Sequence, residues 1–267
     1  MIAVGDVIPY IVGALVVGGI AVALSRRREY MLRWCAWAVA VPVVVAALYA
    51  GPGGAAGLAA AVAVVCVLEY GRLTRLPRPD RAVLAVVVAA LPAAAWLAPS
   101  QLPRMFIAAV LAVALVPLLS GDAVDGLRRL SLGVLGVVWF APLIGVVLLG
   151  PTALAVFVAV SVTDIAASFG GRMLGGPSLS RLSPAKRWSG VLAGVTAGLG
   201  TLTILGAFTF PLAIALVFGA PLGDLVESMI KRGAGVKDSA SWLAGAGGLL
   251  DRLDSLLCVL ALALLLT

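Results

Sequence analysis

The sequence predicts an all-α, polytopic integral membrane protein with about nine to ten transmembrane helices. Hydrophobic residues make up 63% of the chain and charged residues only 12%, whereas a soluble domain carries about a quarter charged residues. With a mean hydropathy of +1.16, the 267 residues have more apolar surface than one aqueous core can bury. Apolar runs also recur at about 20 residues, the length that a helix needs to cross a bilayer.

The first apolar run is expected to be a transmembrane helix and not a cleavable signal. No basic residue precedes it, and arginines at 26–28 follow it where a signal would have small residues. Further along, Pro211 marks either a turn between two spans or a kink within one, so both nine and ten spans are open. The candidate spans are 7–25, 32–50, 54–70, 82–98, 105–120, 130–149, 151–168, 190–209, 211–226 and 253–267.

The basic residues favour ten spans. If the loop at 26–33 is cytoplasmic and the spans alternate, all 19 Lys and Arg residues except Arg104 fall on the cytoplasmic side, in accord with the positive-inside rule. A single kinked span across Pro211 would place the loop after Lys231 outside. The net charge of +7 then reflects topology and attraction to lipid head groups, so we expect no nucleic acid among the partners.

Several kinds of chemistry are excluded by what the chain lacks. It contains no histidine, and its three cysteines (Cys35, Cys66 and Cys258) are isolated in apolar runs. A zinc site of the usual Cys/His kind, a histidine-based triad and disulfides are therefore not expected.

Glycines at 190, 194 and 198 form a GxxxGxxxG row that allows another backbone to approach closely. We interpret this row as an intramolecular packing face, with a homodimer interface as the alternative.

The densest charge lies in segment 223–255. At its beginning, a spacing of i, i+3 or i+4, and i+7 places two oxygen-bearing groups and a cation on one helix face. At its end, two carboxylates repeat the i, i+3 spacing. Carboxylates without histidine or thiolate are hard oxygen ligands, which suit Mg²⁺ or Mn²⁺. These residues are Asp224, Glu227 or Ser228, and Lys231 at the beginning, and Asp251 and Asp254 at the end.

Cations and glycines lie between these acids. The cations can neutralise a polyphosphate, and glycines allow backbone N–H groups to approach phosphate oxygens. The residues concerned are Lys231, Arg232, Lys237 and Arg252, and the run Gly245-Ala246-Gly247-Gly248.

A second charged region lies upstream. Asp164 is near the cytoplasmic end of its span, and residues 183–190 (SPAKRWSG) combine a serine-proline turn with Lys186 and Arg187 before the next span. Such a turn at a helix N-terminus can hold an anion. An ordinary cytoplasmic loop that fixes topology is the alternative.

This combination suits phosphoryl or nucleotidyl transfer, which depends on positioning and charge neutralisation. An attacking lipid phosphate needs no histidine base, because its second pKa is about 6. An attacking lipid hydroxyl would need a carboxylate base, and Asp164 or Asp224 could serve.

The C-terminal pattern resembles the signature of the phosphatidate cytidylyltransferases, also called CDP-diacylglycerol synthases. It comprises Ser-Met-Ile-Lys-Arg from Ser228, then Lys237-Asp238, and Gly-Gly-Leu-Leu-Asp-Arg-Leu-Asp-Ser from Gly247. Segment 164–190, with Gly-Arg at 171–172 and Ser-Pro-Ala-Lys at 183–186, is similar to the second motif of that family. The chain departs where the family has Pro-Gly-His-Gly-Gly, which is Ala-Gly-Ala-Gly-Gly at 244–248, and where it has Lys-Thr-x-Glu-Gly, which is Lys-Arg-Trp-Ser-Gly at 186–190.

The resemblance implies an all-helical, commonly dimeric membrane enzyme that converts CTP and phosphatidate to CDP-diacylglycerol and pyrophosphate, with Mg²⁺ and often a monovalent cation. The resemblance covers roughly residues 160–260. We expect N-terminal transmembrane helices at 1–150 and a catalytic transmembrane domain at 151–267, with cytoplasmic loops at 168–189 and 228–252. We therefore expect a multi-pass protein of the cell membrane, with its site facing the cytoplasm and CTP and a membrane lipid phosphate as partners. The expected catalytic residues are Asp224, Lys231, Lys237, Asp251 and Asp254, with Asp224, Asp251 and Asp254 as metal ligands. The expected substrate-binding residues are Asp164, Ser183, Lys186, Ser228, Arg232, Asp238, Gly247, Gly248 and Arg252.

Two other functions stay open. A CTP-dependent lipid-alcohol kinase would use a similar membrane scaffold, although the Lys-Asp and Asp-Arg-x-Asp spacing disfavours it. A catalytically weakened paralogue that binds lipid phosphate is suggested by Ala246 and Ser189, which replace the histidine and the acid of the motifs.

Overall fold

A computed structural model describes residues 4–25, 28–236, 240 and 247–267. It confirms the all-α polytopic fold. Seven of the described helical segments are long and apolar enough to cross a membrane, and Trp34–Tyr49 and Trp188–Ile204 are shorter apolar helices. The number of crossings stays a prediction. The helices are α1 (Val4–Ser25), α2 (Arg28–Tyr49), α3 (Gly51–Leu73), α4 (Arg78–Leu97), α5 (Leu102–Leu119), α6 (Gly126–Phe140), α7 (Gly145–Leu148), α8 (Thr152–Leu174), α9 (Trp188–Ile204), α10 (Phe210–Gly233) and α11 (Leu250–Leu266), with 3₁₀ turns at Pro99–Gln101 and Ala141–Ile144.

The helices that carry the charged segments are longer than their apolar runs. Helix α8 continues to Leu174 and helix α10 to Gly233. Within the segments predicted as cytoplasmic loops, 168–189 and 228–252, residues 168–174, 228–233 and 250–252 are helical. That these segments are cytoplasmic stays a prediction. The thickness of the bilayer sets the length of an apolar run. The backbone hydrogen bonds of a helix do not depend on the bilayer, so a helix can continue beyond the apolar run into water.

The break near Pro211 is a turn and not a kink. Helix α9 ends at Ile204 and helix α10 begins at Phe210. The Thr209 hydroxyl caps the new helix by accepting a hydrogen bond from the Leu212 N–H at 3.3 Å, and a proline in the first turn of a helix is well tolerated. The chain thus forms two helices here, as the ten-span alternative requires.

The glycine row of helix α9 packs against helix α8. A Cβ atom at Gly190 would lie 2.6 Å from the Ala167 carbonyl oxygen, and one at Gly194 would lie 2.7 Å from the Thr163 carbonyl oxygen. Any larger residue would separate the two backbones. The interpretation of this row as an intramolecular packing face is confirmed. A homodimer stays a prediction, but its interface would have to lie elsewhere, because helix α8 covers this row.

A short β-hairpin follows helix α8 in a region that the sequence analysis treated as a loop. Strands β1 (Ser178–Ser180) and β2 (Ser183–Arg187) pair in antiparallel fashion. The chain reverses into the hairpin through Gly175 and Gly176, whose φ values of 66° and 99° are accessible to glycine without strain. The hairpin places residues 183–187 directly before helix α9.

One hydrophobic core joins the first and second parts of the chain. Its largest fully buried side chains include Tyr70 and Phe140 from the first part and Leu154, Leu216 and Leu257 from the second. The rings of Tyr70 and Phe140 meet edge to face, with centroids 5.7 Å apart. The division at residue 150 stays a prediction.

Candidate functional site

Two glycines bring helix α10 directly against helix α11. A Cβ atom at Gly219 would lie 2.8 Å from the backbone of Val259, and one at Gly223 would overlap the backbone of Asp254. Only glycine permits such a close approach. The sequence analysis missed this pair, although its GxxxG spacing is the same signal that identified the row in helix α9. The close approach places the charged face of α10 against the first turns of α11.

Lys231 joins the two helices through a pair of carboxylates. Its ammonium group lies 2.7 Å from Glu227 Oε2, one helical turn away, and 3.0 Å from Asp251 Oδ1 on helix α11. The Glu227 side chain is 2% exposed and the Lys231 side chain 15% exposed. Of the predicted i, i+3 or i+4, and i+7 pattern on α10, the contact with Lys231 is made by Glu227, at i+3, and not by Ser228.

A cluster of carboxyl groups lies beside this bridge. Asp254 is buried, and its carboxyl group lies near those of Glu227 and Asp224. Glu227 Oε1 is buried and has no hydrogen-bond donor among the described residues. Adjacent carboxylates repel one another unless they share a proton or a cation. The cluster is therefore poised to bind positive charge.

The hairpin closes one side of the cluster. Lys186 on strand β2 forms an ion pair with Asp224 on helix α10, and Ser183 on the same strand lines the adjoining cavity. Helix α8 closes another side, where the Ser255 hydroxyl donates a hydrogen bond of 3.1 Å to Asp164 Oδ1. The two charged regions of the sequence thus form one site.

These side chains line a cavity of about 1000 Å³, which is at the upper end of the range for small-molecule sites. Its polar wall lies between helices α8, α10 and α11 and the hairpin. Its apolar wall includes Trp37 on α2 and Phe157 on α8, whose rings lie 6.0 Å apart. The charged lining residues are Asp164, Arg172, Lys186, Arg187, Asp224, Asp251, Arg252 and Asp254, and the hydroxyl-bearing ones are Ser161, Thr163, Ser168 and Ser183.

The donor set suits a hard divalent cation. In the described part of the chain, five carboxylates lie close to three cations at this end of the cavity, with Glu227 and Lys231 behind its lining. Arg172 and Arg187 line the cavity as well, so the charges of acids and bases balance. Every donor is an oxygen, as Mg²⁺ and Mn²⁺ prefer, and Glu227 Oε1 lacks a donor. Among the described residues, no group of three or more acidic or thiol side chains is already arranged to hold a metal ion, and Lys186 and Lys231 pair with three of the carboxylates. The carboxylates are those of Asp164, Asp224, Glu227, Asp251 and Asp254, and the cations are Lys186, Lys231 and Arg252.

The backbone N–H groups before helix α11 already have partners. The Gly248 N–H donates to Asp251 Oδ2 at 2.7 Å, and the next two N–H groups donate to Glu69 of helix α3. Gly247 has a φ of 78°, and a Cβ atom there would lie 2.5 Å from Asp251 Oδ2. In this arrangement the glycines position Asp251. Their predicted contact with phosphate stays a prediction.

Sequence reasoning missed Glu69, which lies 180 residues before Leu249. A buried acid inside a predicted span was the available signal, because ionisable groups in spans are functional candidates.

The two residues at which the upstream motif departs from the family both hold the turn after helix α8. Arg187 donates a hydrogen bond of 2.7 Å to the Gly176 carbonyl, and the Ser189 hydroxyl donates to the Gly175 carbonyl. A carboxylate at position 189 could not donate such a bond. Both departures therefore fasten the hairpin and leave the carboxylate cluster intact.

The remaining predicted residues lie apart or cannot be placed. Ser228 and Arg232 are on helix α10 but not among the cavity-lining residues, and Arg232 is exposed. Lys237 and Asp238 lie outside the described residues, as does Ala246.

Comparison with known proteins decides the family. The profile of the cytidylyltransferase family matches residues 31–267. The chain belongs to the cytidylyltransferase family. The matched region contains the four carboxylates that line the cavity, Glu227 beside them, and both motifs identified from the sequence.

Individual relatives match shorter segments of the chain. Phosphatidate cytidylyltransferase from Brucella melitensis is 46% identical over 120 residues, which are 42% of this chain and 44% of that protein. The corresponding enzyme from Helicobacter pylori is 44% identical over 110 residues, covering 38% and 41%. Phosphatidate cytidylyltransferase 4, chloroplastic, from Arabidopsis thaliana is 40% identical over 116 residues, covering 40% and 30%. The chain thus matches less than half the length of each of these relatives.

Proposed function

We propose that this member of the cytidylyltransferase family transfers the cytidylyl group of CTP to phosphatidate or a related lipid phosphate, forming CDP-diacylglycerol and pyrophosphate. The observation that carries the proposal is one cavity that has a charged wall of acids and bases and an apolar wall facing α2 and α8. A nucleotide needs the first wall and a lipid needs the second. The names of the relatives support the choice of nucleotide and lipid.

The cations of the charged wall would bind the phosphates. Lys186 and Arg252 line the cavity, and Arg252 can contact a phosphate through two parallel hydrogen bonds. Lys186 is paired with Asp224 and is half-buried, so exchanging this carboxylate for a phosphate oxygen costs little. Because Lys186 is on the hairpin, substrate binding would hold the hairpin against helix α10.

The reaction needs no protein base. An oxygen of the lipid phosphate attacks the α-phosphorus of CTP, and the bond from that phosphorus to the bridging oxygen of the pyrophosphate breaks. The attacking phosphate is already ionised at neutral pH, since its second pKa is about 6. The protein has to align the two phosphates and to neutralise their repulsion.

The acidic residues would act through a cation. Asp224, Asp251 and Asp254 would hold Mg²⁺, or Mn²⁺ in its place, which when bound supplies neutralisation of phosphate charge. Glu227 holds Lys231 at 2.7 Å, and Lys231 holds Asp251 at 3.0 Å, so this chain of contacts orients Asp251 towards the cavity. A monovalent cation is a further prediction for the same acidic wall.

The site would face the cytoplasm of the cell membrane. The positive-inside rule places Lys186, Lys231 and Arg252 on that side, where CTP is available. The acyl chains would lie along the apolar wall near Trp37 and Phe157.

The test uses purified protein in detergent with Mg²⁺, phosphatidate and CTP labelled either at the α-phosphate or at the γ-phosphate. The proposal predicts label in the lipid product only from α-labelled CTP, together with release of pyrophosphate. A lipid-alcohol kinase would instead transfer the γ-label to a diacylglycerol or polyprenol acceptor. Binding of CTP without turnover on any lipid would favour the weakened paralogue, and either of these results would refute the proposal.

A further inference from the structure

Glu69 lies in the membrane-spanning helix α3, yet it contacts the site of helices α10 and α11. Its side chain is buried, with the residue only 2% exposed. One carboxylate oxygen accepts a hydrogen bond from the Leu249 N–H at 2.9 Å, and the other accepts one from the Leu250 N–H at 2.8 Å. A single carboxylate from the first part of the chain therefore holds two consecutive backbone groups of the second part.

These two groups are at the start of helix α11, where N–H groups have no partner within the helix. The N-cap residue is Leu249, whose side chain makes no capping hydrogen bond. Glu69 supplies the cap from another helix, and its negative charge is favourable at the positive end of the helix dipole. Because both carboxylate oxygens accept a hydrogen bond, Glu69 fixes the first turn of α11 both in its rotation about the helix axis and in its position along that axis.

The fixed turn bears the acids of the site. Asp251 follows Leu250 directly, and its carboxylate binds the Gly248 N–H and Lys231. Asp254 is one helical turn further along, buried and near Glu227. A rotation of the first turn of α11 would carry both aspartates away from helix α10.

We propose that Glu69 is a positioning residue for nucleotidyl transfer, which aims Asp251 and Asp254 at helix α10 by holding the start of helix α11. The inference rests on the proposed function. A cap that served stability alone could be supplied locally by Ser, Asp or Asn at position 249. Burying a carboxylate within a membrane protein is costly, and this cost is explained if the position of the turn relative to α3 matters for the reaction.

The test compares Glu69→Gln with Tyr70→Phe. Glutamine keeps one acceptor oxygen but presents an N–H₂ group to the second backbone N–H. Tyr70 is the neighbouring buried residue of helix α3, and its hydroxyl donates a hydrogen bond of 2.8 Å to the Leu132 carbonyl on helix α6. The control Tyr70→Phe therefore also loses a hydrogen bond between helices, but not one to α11. Melting temperatures in detergent report stability. Two readouts report positioning. The first is the shift in melting temperature that CTP causes in the absence of lipid, measured as a function of Mg²⁺ concentration. The second is turnover per folded molecule, measured over the same Mg²⁺ concentrations.

In Glu69→Gln we expect the Mg²⁺ concentration for half-maximal effect to rise about 10–100-fold in both readouts, as is typical when a group that orients metal ligands is lost. The KM for phosphatidate should change little. In Tyr70→Phe the Mg²⁺ dependence should match the wild type even if the melting temperature falls. Glu69→Asp, which keeps the charge on a shorter side chain, should fall between wild type and Glu69→Gln.

A reciprocal variant removes the donor. Leu249 has a φ of −67°, which proline adopts without strain, so Leu249→Pro deletes the N–H that Glu69 binds. It should show the same change in Mg²⁺ dependence, and combining it with Glu69→Gln should add less than the sum of the single effects.

Unchanged Mg²⁺ dependence in folded Glu69→Gln would overturn the inference. The inference would also be overturned, in favour of a purely structural role, if Glu69→Gln, Glu69→Asp and Leu249→Pro all failed to fold while Tyr70→Phe folded. Absence of turnover in the wild type refutes the proposed function instead, and the CTP-induced melting shift still tests Glu69 in that case.

Discussion

Replacing Lys231 tests whether the ion pairs between helices α10 and α11 are a connected unit. Lys231→Met removes the cation that lies 2.7 Å from Glu227 and 3.0 Å from Asp251. The Glu227 side chain, 2% exposed, is then left as a buried charge without its nearest cation. Breaking a buried pair in this way costs about 3–5 kcal/mol of the free energy of unfolding.

The double variant Lys231→Met/Glu227→Gln should recover much of this loss. Removing both charges leaves no uncompensated ion, and a buried pair replaced by neutral groups is often close to neutral for stability. We expect Lys231→Met to abolish turnover, because Lys231 also holds Asp251, and the double variant to stay inactive. Stability and activity therefore separate in the double variant.

The measurement is a double-mutant cycle of the free energy of unfolding in mixed detergent micelles, with turnover measured on the same samples. We expect the loss in the double variant to be smaller than the sum of the two single losses by about 2 kcal/mol or more. Losses that add within about 0.5 kcal/mol would show that Lys231 and Glu227 act independently, and the reasoning would be wrong.

Three further predictions follow from the contacts described above. Gly194→Ala should lower the melting temperature by pushing helices α8 and α9 apart, whereas Gly200→Ala on the same helix, with open space around its Cβ position, should be neutral or stabilising by up to about 1 kcal/mol. Asp251→Asn should abolish Mg²⁺-dependent turnover while the protein stays folded, and normal turnover in this variant would contradict the site assignment. The control Asp125→Asn, at an exposed position, should behave like the wild type. Lys186→Met should change the melting temperature little, because the ion pair of Lys186 with Asp224 is partly exposed. It should raise the KM for CTP or for the lipid phosphate in steady-state assays, and unchanged KM values would exclude Lys186 from substrate binding.

The predicted apolar spans correspond to the helices of the structure, because the bilayer imposes a minimum length on any helix that crosses it. Their ends were predicted less well. Helices α8 and α10 continue to Leu174 and Gly233, since a helix can extend into water on hydrogen bonds and charged side chains. The hairpin at Ser178–Arg187 was missed because its strands of three and five residues are too short for a periodic signal.

Most of the candidate site was also accessible from the sequence. The i, i+3 and i, i+7 spacings identified the faces of Asp224 and Asp251 because side-chain direction within one helix follows from its period. The same reasoning left Glu227 and Ser228 as alternatives, and only the buried contact with Lys231 separates them. Arg232 was assigned to the site from the charge pattern and from the resemblance, and the structure places it on the exposed side of the helix.

The sequence by itself determined the fold class, the family and the set of acids and cations that form the charged wall. These follow from composition, from residue spacing within single helices and from a motif, all of which are local properties of the chain. Tertiary structure alone decided which charges meet. The contact of Glu69 with Leu249 spans 180 residues, and the approach of helices α10 and α11 at Gly223 depends on their relative depth and rotation. No local periodicity specifies those two quantities, because they are set by the packing of whole helices against one another.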